Sequence, residues 1–169
     1  INSHCVIRNC TVADNLANTH SGGIRLENGS GKVTMVNTIA VLNKMKSGAE
    51  VNCADNYVID KANSSNCFFG NSSETSFAAN SSSGDPKFVD PSNGDYHLQE
   101  ASTAKGGGVT YSGIGADLDG KQFAAMPSIG CYEFASGEPP PVPSDWDISG
   151  SGSGGINGID DGNGGKYIL

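Results

Sequence analysis

The run Asn9-Cys10-Thr11-Val12-Ala13-Asp14-Asn15 returns twice in altered form, as Asn37-Thr38-Ile39-Ala40-Val41-Leu42-Asn43 and as Asn66-Cys67-Phe68-Phe69-Gly70-Asn71. The closing asparagines are Asn15, Asn43 and Asn71, evenly spaced along the chain, and the apolar position three places earlier (Val12, Ala40, Phe68) keeps the same spacing. A regular step of this kind, built from short β-rich runs, small residues and asparagines, predicts a solenoid in which each turn buries its face against its neighbours.

Working outward, Cys5, Ile7, Cys10 and Val12 alternate around Asn9, which reads as strand, corner, strand. Asparagine suits such a corner because it tolerates left-handed backbone and its amide bonds to nearby backbone or to the Asn of the next turn. Ser21-Gly22-Gly23 opens a strand at Ile24-Arg25-Leu26, with the glycines allowing a tight entry, and Ser47-Gly48-Ala49-Glu50-Val51 repeats the pattern. The spacing from Gly22 to Gly48 is slightly shorter than that of the asparagines, so loop lengths vary around a constant core. Asn56 to Asp60 adds a strand before the corner at Asn66, and residues 72–84 read mainly as loop. The repeat residues expected to carry the architecture are Asn9, Asn15, Asn37, Asn43, Asn66, Asn71, Gly22 and Gly23. Cys10 and Cys67 share one repeat position with Thr38, as small inward residues in a column, and five cysteines with no Cys-x-x-Cys spacing read as mostly buried thiols.

Composition agrees with an all-β chain: 24 glycines, only 17% charged and 7% aromatic residues leave too little Leu, Glu and Lys for a helical bundle. The net charge of -8 is uneven, with six acids and six bases in residues 1–80 against twelve acids and four bases in 81–169. Without a basic stripe there is no counterion-release drive toward nucleic acid and no attraction to an anionic membrane. No run of about 18 apolar residues marks a transmembrane segment. The chain starts inside a repeat, without Met or an apolar leader, and is read as a fragment whose targeting signal lies outside it. Oligomeric state is left open.

Gly-Gly-Ile at 22–24 with Phe68-Phe69-Gly70-Asn71 resembles the paired repeats of polymorphic-outer-membrane-protein type right-handed parallel β-helices. Asp85-Pro86-Lys87-Phe88-Val89-Asp90, Asn93-Gly94-Asp95-Tyr96-His97-Leu98, Gly115-Ala116-Asp117-Leu118-Asp119-Gly120 and Pro127-Ser128-Ile129-Gly130-Cys131-Tyr132-Glu133 follow in order. That series resembles the closing segment of bacterial surface β-helix proteins of the pectate-lyase-like superfamily, the choice-of-anchor Q type. Two positions depart from that pattern: Ser102-Thr103-Ala104-Lys105-Gly106 lacks its proline, and Cys131 stands where alanine is usual. The implied fold is a single-stranded right-handed parallel β-helix, and the division is 1–84 β-helix turns and 85–134 C-terminal cap. In the cap, Phe88, Tyr96, Leu98, Ile129, Tyr132 and Phe134 would plug the open end of the solenoid. Residues 135–155, with Pro139-Pro140-Pro141-Val142-Pro143 and a Gly/Ser run, read as a linker. Residues 156–169 resemble the start of the C-terminal sorting tails of secreted Bacteroidetes proteins, which implies export and a place at the cell surface or outer membrane.

The resembling superfamily includes polysaccharide lyases and glycoside hydrolases. A lyase needs a basic residue beside a cation that neutralises a uronate, and an inverting hydrolase needs two carboxylates spaced around a water. Neither set stands at one repeat position, so catalysis is not expected within these residues; the alternative is an enzyme whose catalytic turns lie upstream. Arg25, Lys44, Lys46 and Tyr57 are the candidate ligand-binding residues, for a polysaccharide or cell-surface glycan, with no catalytic residue assigned. Asp117-Leu118-Asp119-Gly120 has only the opening of a Ca²⁺ loop and reads as a plain turn. His4, His20 and His97 share no ligand spacing, so no metal site and no cofactor is expected.

Overall fold

Four asparagines, Asn9, Asn37, Asn66 and Asn80, take left-handed backbone at φ 45°, 50°, 54° and 52°; Asn9 and Asn37 turn the chain from one short strand into the next, and Asn66 and Asn80 turn it from a single bridged residue, Ser65 or Ala79, toward the next strand. These corners organise a computed structural model that describes residues 4–26, 32–55, 58–134, 159–160 and 166–167. The chain is all-β, and the helices among the described residues are two short 3-10 turns, Ser72–Phe77 and Pro91–Asn93.

The first repeat contributes β1 (His4–Arg8), β2 (Thr11–Ala13), β3 (Leu16–Ala17) and β4 (Ile24–Leu26). The second contributes β5 (Lys32–Val36), β6 (Ile39–Val41), β7 (Lys44–Met45) and β8 (Cys53–Asp55). Each strand pairs in parallel with its counterpart. His4 lies opposite Lys32, Thr11 opposite Ile39 and Leu16 opposite Lys44, all at one spacing, while Ile24 opposite Cys53 is one position longer. β9 (Phe68–Phe69) continues the β2–β6 sheet, and β10 (Ser82–Ser83) closes it as a fourth strand.

Two registers differ from the sequence expectation. Ile39 pairs with Phe68 and Ala40 with Phe69, so the step into the third repeat is one position longer than the step from Thr11 to Ile39, and the inward column is Val12, Ala40, Phe69. Asn71, expected in the closing column with Asn15 and Asn43, instead caps the 3-10 helix at 72–77 by accepting from the Ser73 N–H. Residues 72–84, expected as loop, form a shortened repeat, in which Ser65 bridges Ala79 and Phe68 pairs with Ser82. The Asn80 corner serves this repeat as the other three serve theirs.

The small residue after each corner repeats one device. Cys10 Sγ, Thr38 Oγ1, Cys67 Sγ and Ser81 Oγ each donate to the carbonyl two residues back, at 3.0, 3.1, 3.5 and 3.4 Å. Cys10, Thr38 and Cys67 fall in one register column, with Thr38 and Cys67 buried and Cys10 half-buried. All five thiols are free, but the expectation that most are buried is corrected: only Cys53 and Cys67 are buried, Cys10 and Cys131 are half-buried, and Cys5 on the first strand is exposed. Burial pushes the Cys67 thiol up to about 11, with the Thr38 backbone contact opposing it weakly, so this group stays protonated and unreactive.

Two hydrophobic cores share β6 and β9. Met35, Ala40, Cys67 and Phe69 fill the interior, where Phe77 meets Phe69 edge-on at 6.2 Å and Ala78 joins them. Ile39, Val41 and Phe68 point outward and are buried under Phe88, Leu98 and Ile129. Phe88, Leu98 and Ile129, expected to plug an open end, instead cover the outer face of the β6–β9 sheet, while Phe77 and Ala78 pack with the cluster on its other face. The reason is visible in the strands. Ile39-Ala40-Val41 and Phe68-Phe69 carry apolar residues on both faces, so the outer face also needs cover.

Within 85–134, β11 (Phe88–Asp90) and β12 (Asp95–Leu98) form an antiparallel hairpin around the Pro91–Asn93 helix, which ends at Gly94 in left-handed backbone, φ 82°. The expected linker and the start of the tail fall on 135–158, outside the described residues. Residues 137–169 make a separate unit, in which β13 (Ile159–Asp160) pairs antiparallel with β14 (Lys166–Tyr167).

Candidate functional site

Three arrangements of polar side chains stand out, and two of them are structural. The first is a strap along the asparagine corners. Asn66 Nδ2 donates to the Gly107 carbonyl at 3.0 Å. Asn37 grips Val109 twice, donating to its carbonyl and accepting from its N–H, both at 2.8 Å. Asn9 Oδ1 accepts from the Tyr111 hydroxyl at 2.7 Å, while Arg8 lies 4.5 Å over the Tyr111 ring. Successive repeats therefore hold every second residue of one extended segment. Gly108 is required here, since a Cβ would sit 2.7 Å from the Pro127 carbonyl oxygen.

The second is a buried network between repeats. Asn15 Nδ2 donates to Asn43 Oδ1 at 2.8 Å, and Asn43 N–H and Nδ2 donate to Asn52 Oδ1 at 3.0 and 3.2 Å. Asn52 Nδ2 donates in turn to Glu50 Oε1 and Glu74 Oε2. Glu74 also accepts from the backbone N–H groups of Asn52 and Cys53, at 2.8 and 3.1 Å. Glu50 Oε1 accepts from the Leu42 N–H at 3.0 Å, at a corner where a leucine holds φ 59°. These two carboxylates have the look of an acid pair, yet both oxygens of Glu74 and Oε1 of Glu50 are taken by amide donors of the fold. Gly22 and Gly23 belong to this packing. Their need is close approach rather than unusual φ: a Cβ on Gly22 would lie 2.5 Å from Lys44 N, and one on Gly23 would lie 2.4 Å from Asn52 O.

The third is exposed. Lys44 starts β7 and Lys46 follows its end, still in the ladder through a 2.8 Å bond from its N–H to the Ala17 carbonyl. Two positions apart on an extended strand, they project to the same side. Both side chains are exposed, and no ion pair engages them among the described residues. Other cations are occupied: Lys87 with Asp85 at 2.8 Å, Lys105 with Glu100 and over the Phe134 ring, and Lys121 on the Phe134 carbonyl. Of the expected ligand-binding residues, Lys44 and Lys46 come together. Arg25 is exposed on β4, in a different sheet, opposite Ala54. Tyr57 lies outside the described residues.

The Asp117-Leu118-Asp119-Gly120 segment is a turn. The Asp117 carboxylate accepts from the N–H groups of Asp119, Lys121 and Glu133, at 2.9, 2.8 and 2.8 Å. Glu133, buried, accepts from the Ser128 N–H and hydroxyl. Among the described residues no group of three or more His, Cys, Asp or Glu side chains is placed to hold a metal ion, and no helix is long and apolar enough to cross a membrane. His97, which the sequence left without a partner, is the centre of a cluster: Nδ1 lies 2.6 Å from Asp95 Oδ1 and Nε2 lies 2.7 Å from Asp119 Oδ2. The Asp95-x-His97 spacing on a strand was the available signal; the third member comes from a turn well downstream.

No family model matches this chain, and neither a curated protein nor a solved structure is found similar to it.

Proposed function

We propose that this chain is the C-terminal part of a right-handed parallel β-helix of the pectate-lyase-like kind, exported to the cell surface, which binds a glycan or another surface partner without transforming it. The observation that carries the reading is the regularly repeated parallel pairing of β1 with β5, β2 with β6, β4 with β8 and β6 with β9, with left-handed asparagines at the corners. Such stacking builds a long, even flank suited to extended ligands. The absence of turnover rests on the carboxylates: Glu50, Glu74, Asp117 and Glu133 are each bound to backbone or amide donors of the fold. Lys44 and Lys46 supply paired positive charge for the acid groups of a polysaccharide.

The test is a panel of acidic and neutral polysaccharides, scored for retention, for unsaturated-uronate absorbance and for new reducing ends. An acidic glycan is expected to be retained without product, and Lys44→Gln with Lys46→Gln should weaken binding roughly threefold to tenfold, as two exposed charge contacts would. Product release by this chain would overturn the reading and make it a lyase or hydrolase.

A further inference from the structure

His97 joins three pieces of the cap that are separate in sequence. Its backbone belongs to β12, whose neighbour Leu98 is buried on the outer face of the β6–β9 sheet. Nε2 reaches Asp119, on the turn that the Asp117 carboxylate organises. The ring stacks on Tyr132, with centroids 3.9 Å apart and planes 24° from parallel. Tyr132 follows Cys131, whose N–H donates to Thr11 Oγ1 at 3.1 Å, so the third piece is anchored on the first repeat.

The chemistry of this geometry depends on one proton. Both ring nitrogens face carboxylate oxygens, and only imidazolium has two N–H donors to meet them. A neutral ring donates to one carboxylate and turns a lone pair toward the other, and it loses the attraction of a charged ring for the face of Tyr132. With both nitrogens engaged, His97 is also unavailable as a general acid or base toward a substrate.

We propose that His97 is a proton-operated latch, which while charged ties the turn at 117–121 and the run at Tyr132 to the β11–β12 hairpin, and when neutral keeps its one N–H on Asp95 of its own strand and releases Asp119.

The groups facing the latch are Asp95 on its own strand, Asp119 on the turn and Tyr132 on the closing run; Asp90 acts on Asp95, and Asp117 and Cys131 act on Tyr132. Burial alone would lower the His97 pKa, but the hydrogen bonds to Asp119 and Asp95 outweigh it, and the net direction is upward. The stabilisation is therefore complete below the ordinary histidine value of about 6.5 and is lost as pH rises through the elevated folded value. Asp95 is held below the usual carboxylate range, first by the His97 N–H and then by the ring, with burial opposing. Falling pH thus opens the latch as well, once Asp95 takes up its proton. The side chains are 36–42% exposed, so solvent screens the pairs and release is local, leaving the sheets in place.

Amide exchange of the whole chain, expressed as protection factors corrected for intrinsic rates, tests this at about pH 6 and about pH 9. In the wild type, protection at the hydrogen-bonded amides of 117–121, among them Leu118 on the Cys131 carbonyl, should fall about tenfold, the scale of one lost charge-assisted hydrogen bond. His97→Gln should show the lower protection at both pH values. As a second measurement, the NMR titration of the imidazole should move toward the ordinary histidine midpoint in Asp119→Asn. Equal wild-type protection at both pH values, a wild-type pH response retained in His97→Gln, or an unmoved midpoint in Asp119→Asn would each overturn the latch.

Discussion

Glu74→Ala is expected to lower the unfolding free energy by about 4 kcal/mol, because it removes the acceptor of the buried N–H groups of Asn52 and Cys53 and of one of the two N–H bonds of the Asn52 side-chain amide, the other staying on Glu50. The side chain is 5% exposed, so water enters only if the 3-10 helix at 72–77 moves. Glu74→Gln is the informative partner. It keeps the size and one acceptor oxygen but turns an NH₂ toward a donor, and about half the loss should remain. Chemical denaturation measures both. A loss under about 1 kcal/mol for Glu74→Ala would mean that the network from Asn15 through Asn43 and Asn52 does not depend on this carboxylate.

Phe68→Ala and Phe69→Ala should each cost about 4 kcal/mol, within the range for emptying a large buried aromatic site. Adjacent residues on a strand point to opposite faces, so equal costs require both faces of β9 to be covered. Phe69, fully buried, sits in the interior with Met35 and Ala40, and Phe68, 1% exposed, lies beneath Phe88 and Ile129. Denaturant midpoints of the two variants check this. If one substitution cost under about 1 kcal/mol, the face it serves would be open, and for Phe68 that would mean that Phe88, Leu98 and Ile129 do not cover it.

These two residues also mark how far the sequence can be read. The corners at Asn9, Asn37 and Asn66 were legible, because left-handed backbone at φ 45°, 50° and 54° suits few side chains and asparagine is one of them. The covered flank was not read from the sequence: Ile39-Ala40-Val41 lacks the alternation of Ile24-Arg25-Leu26, yet Phe88, Leu98 and Ile129 were expected at the open end rather than over these residues. The register into the third repeat was not legible, because Phe68 and Phe69 are the same residue type and either fits the inward column. Only the pairing of Ile39 with Phe68 distinguishes them. The shortened repeat at 72–84 was hidden by its serines, which carry no apolar period, although Asn80 was the corner signal for it.

The polar clusters were less legible than the corners. Asn52 and Glu74 are far apart along the chain, and nothing local in either stretch announces that one carboxylate will serve the backbone of the other. The strap over Asn9, Asn37 and Asn66 is more distant still from the asparagines it meets. For the exposed candidates, charge alone placed Lys44 and Lys46 together because they are neighbours in sequence, while Arg25 needed a sheet assignment to be set apart from them.

The parallel stacking is tested most directly by cross-strand proton contacts in the NMR spectrum of the uniformly labelled chain. Val12 is expected to contact Ala40, and Ala40 to contact Phe69, with Ile129 methyls against Ile39 on the outer face. Contacts linking Ala40 to Phe68 in their place, or an antiparallel pattern between these strands, would contradict both the lengthened step into the third repeat and the burial of the outer face beneath Phe88, Leu98 and Ile129.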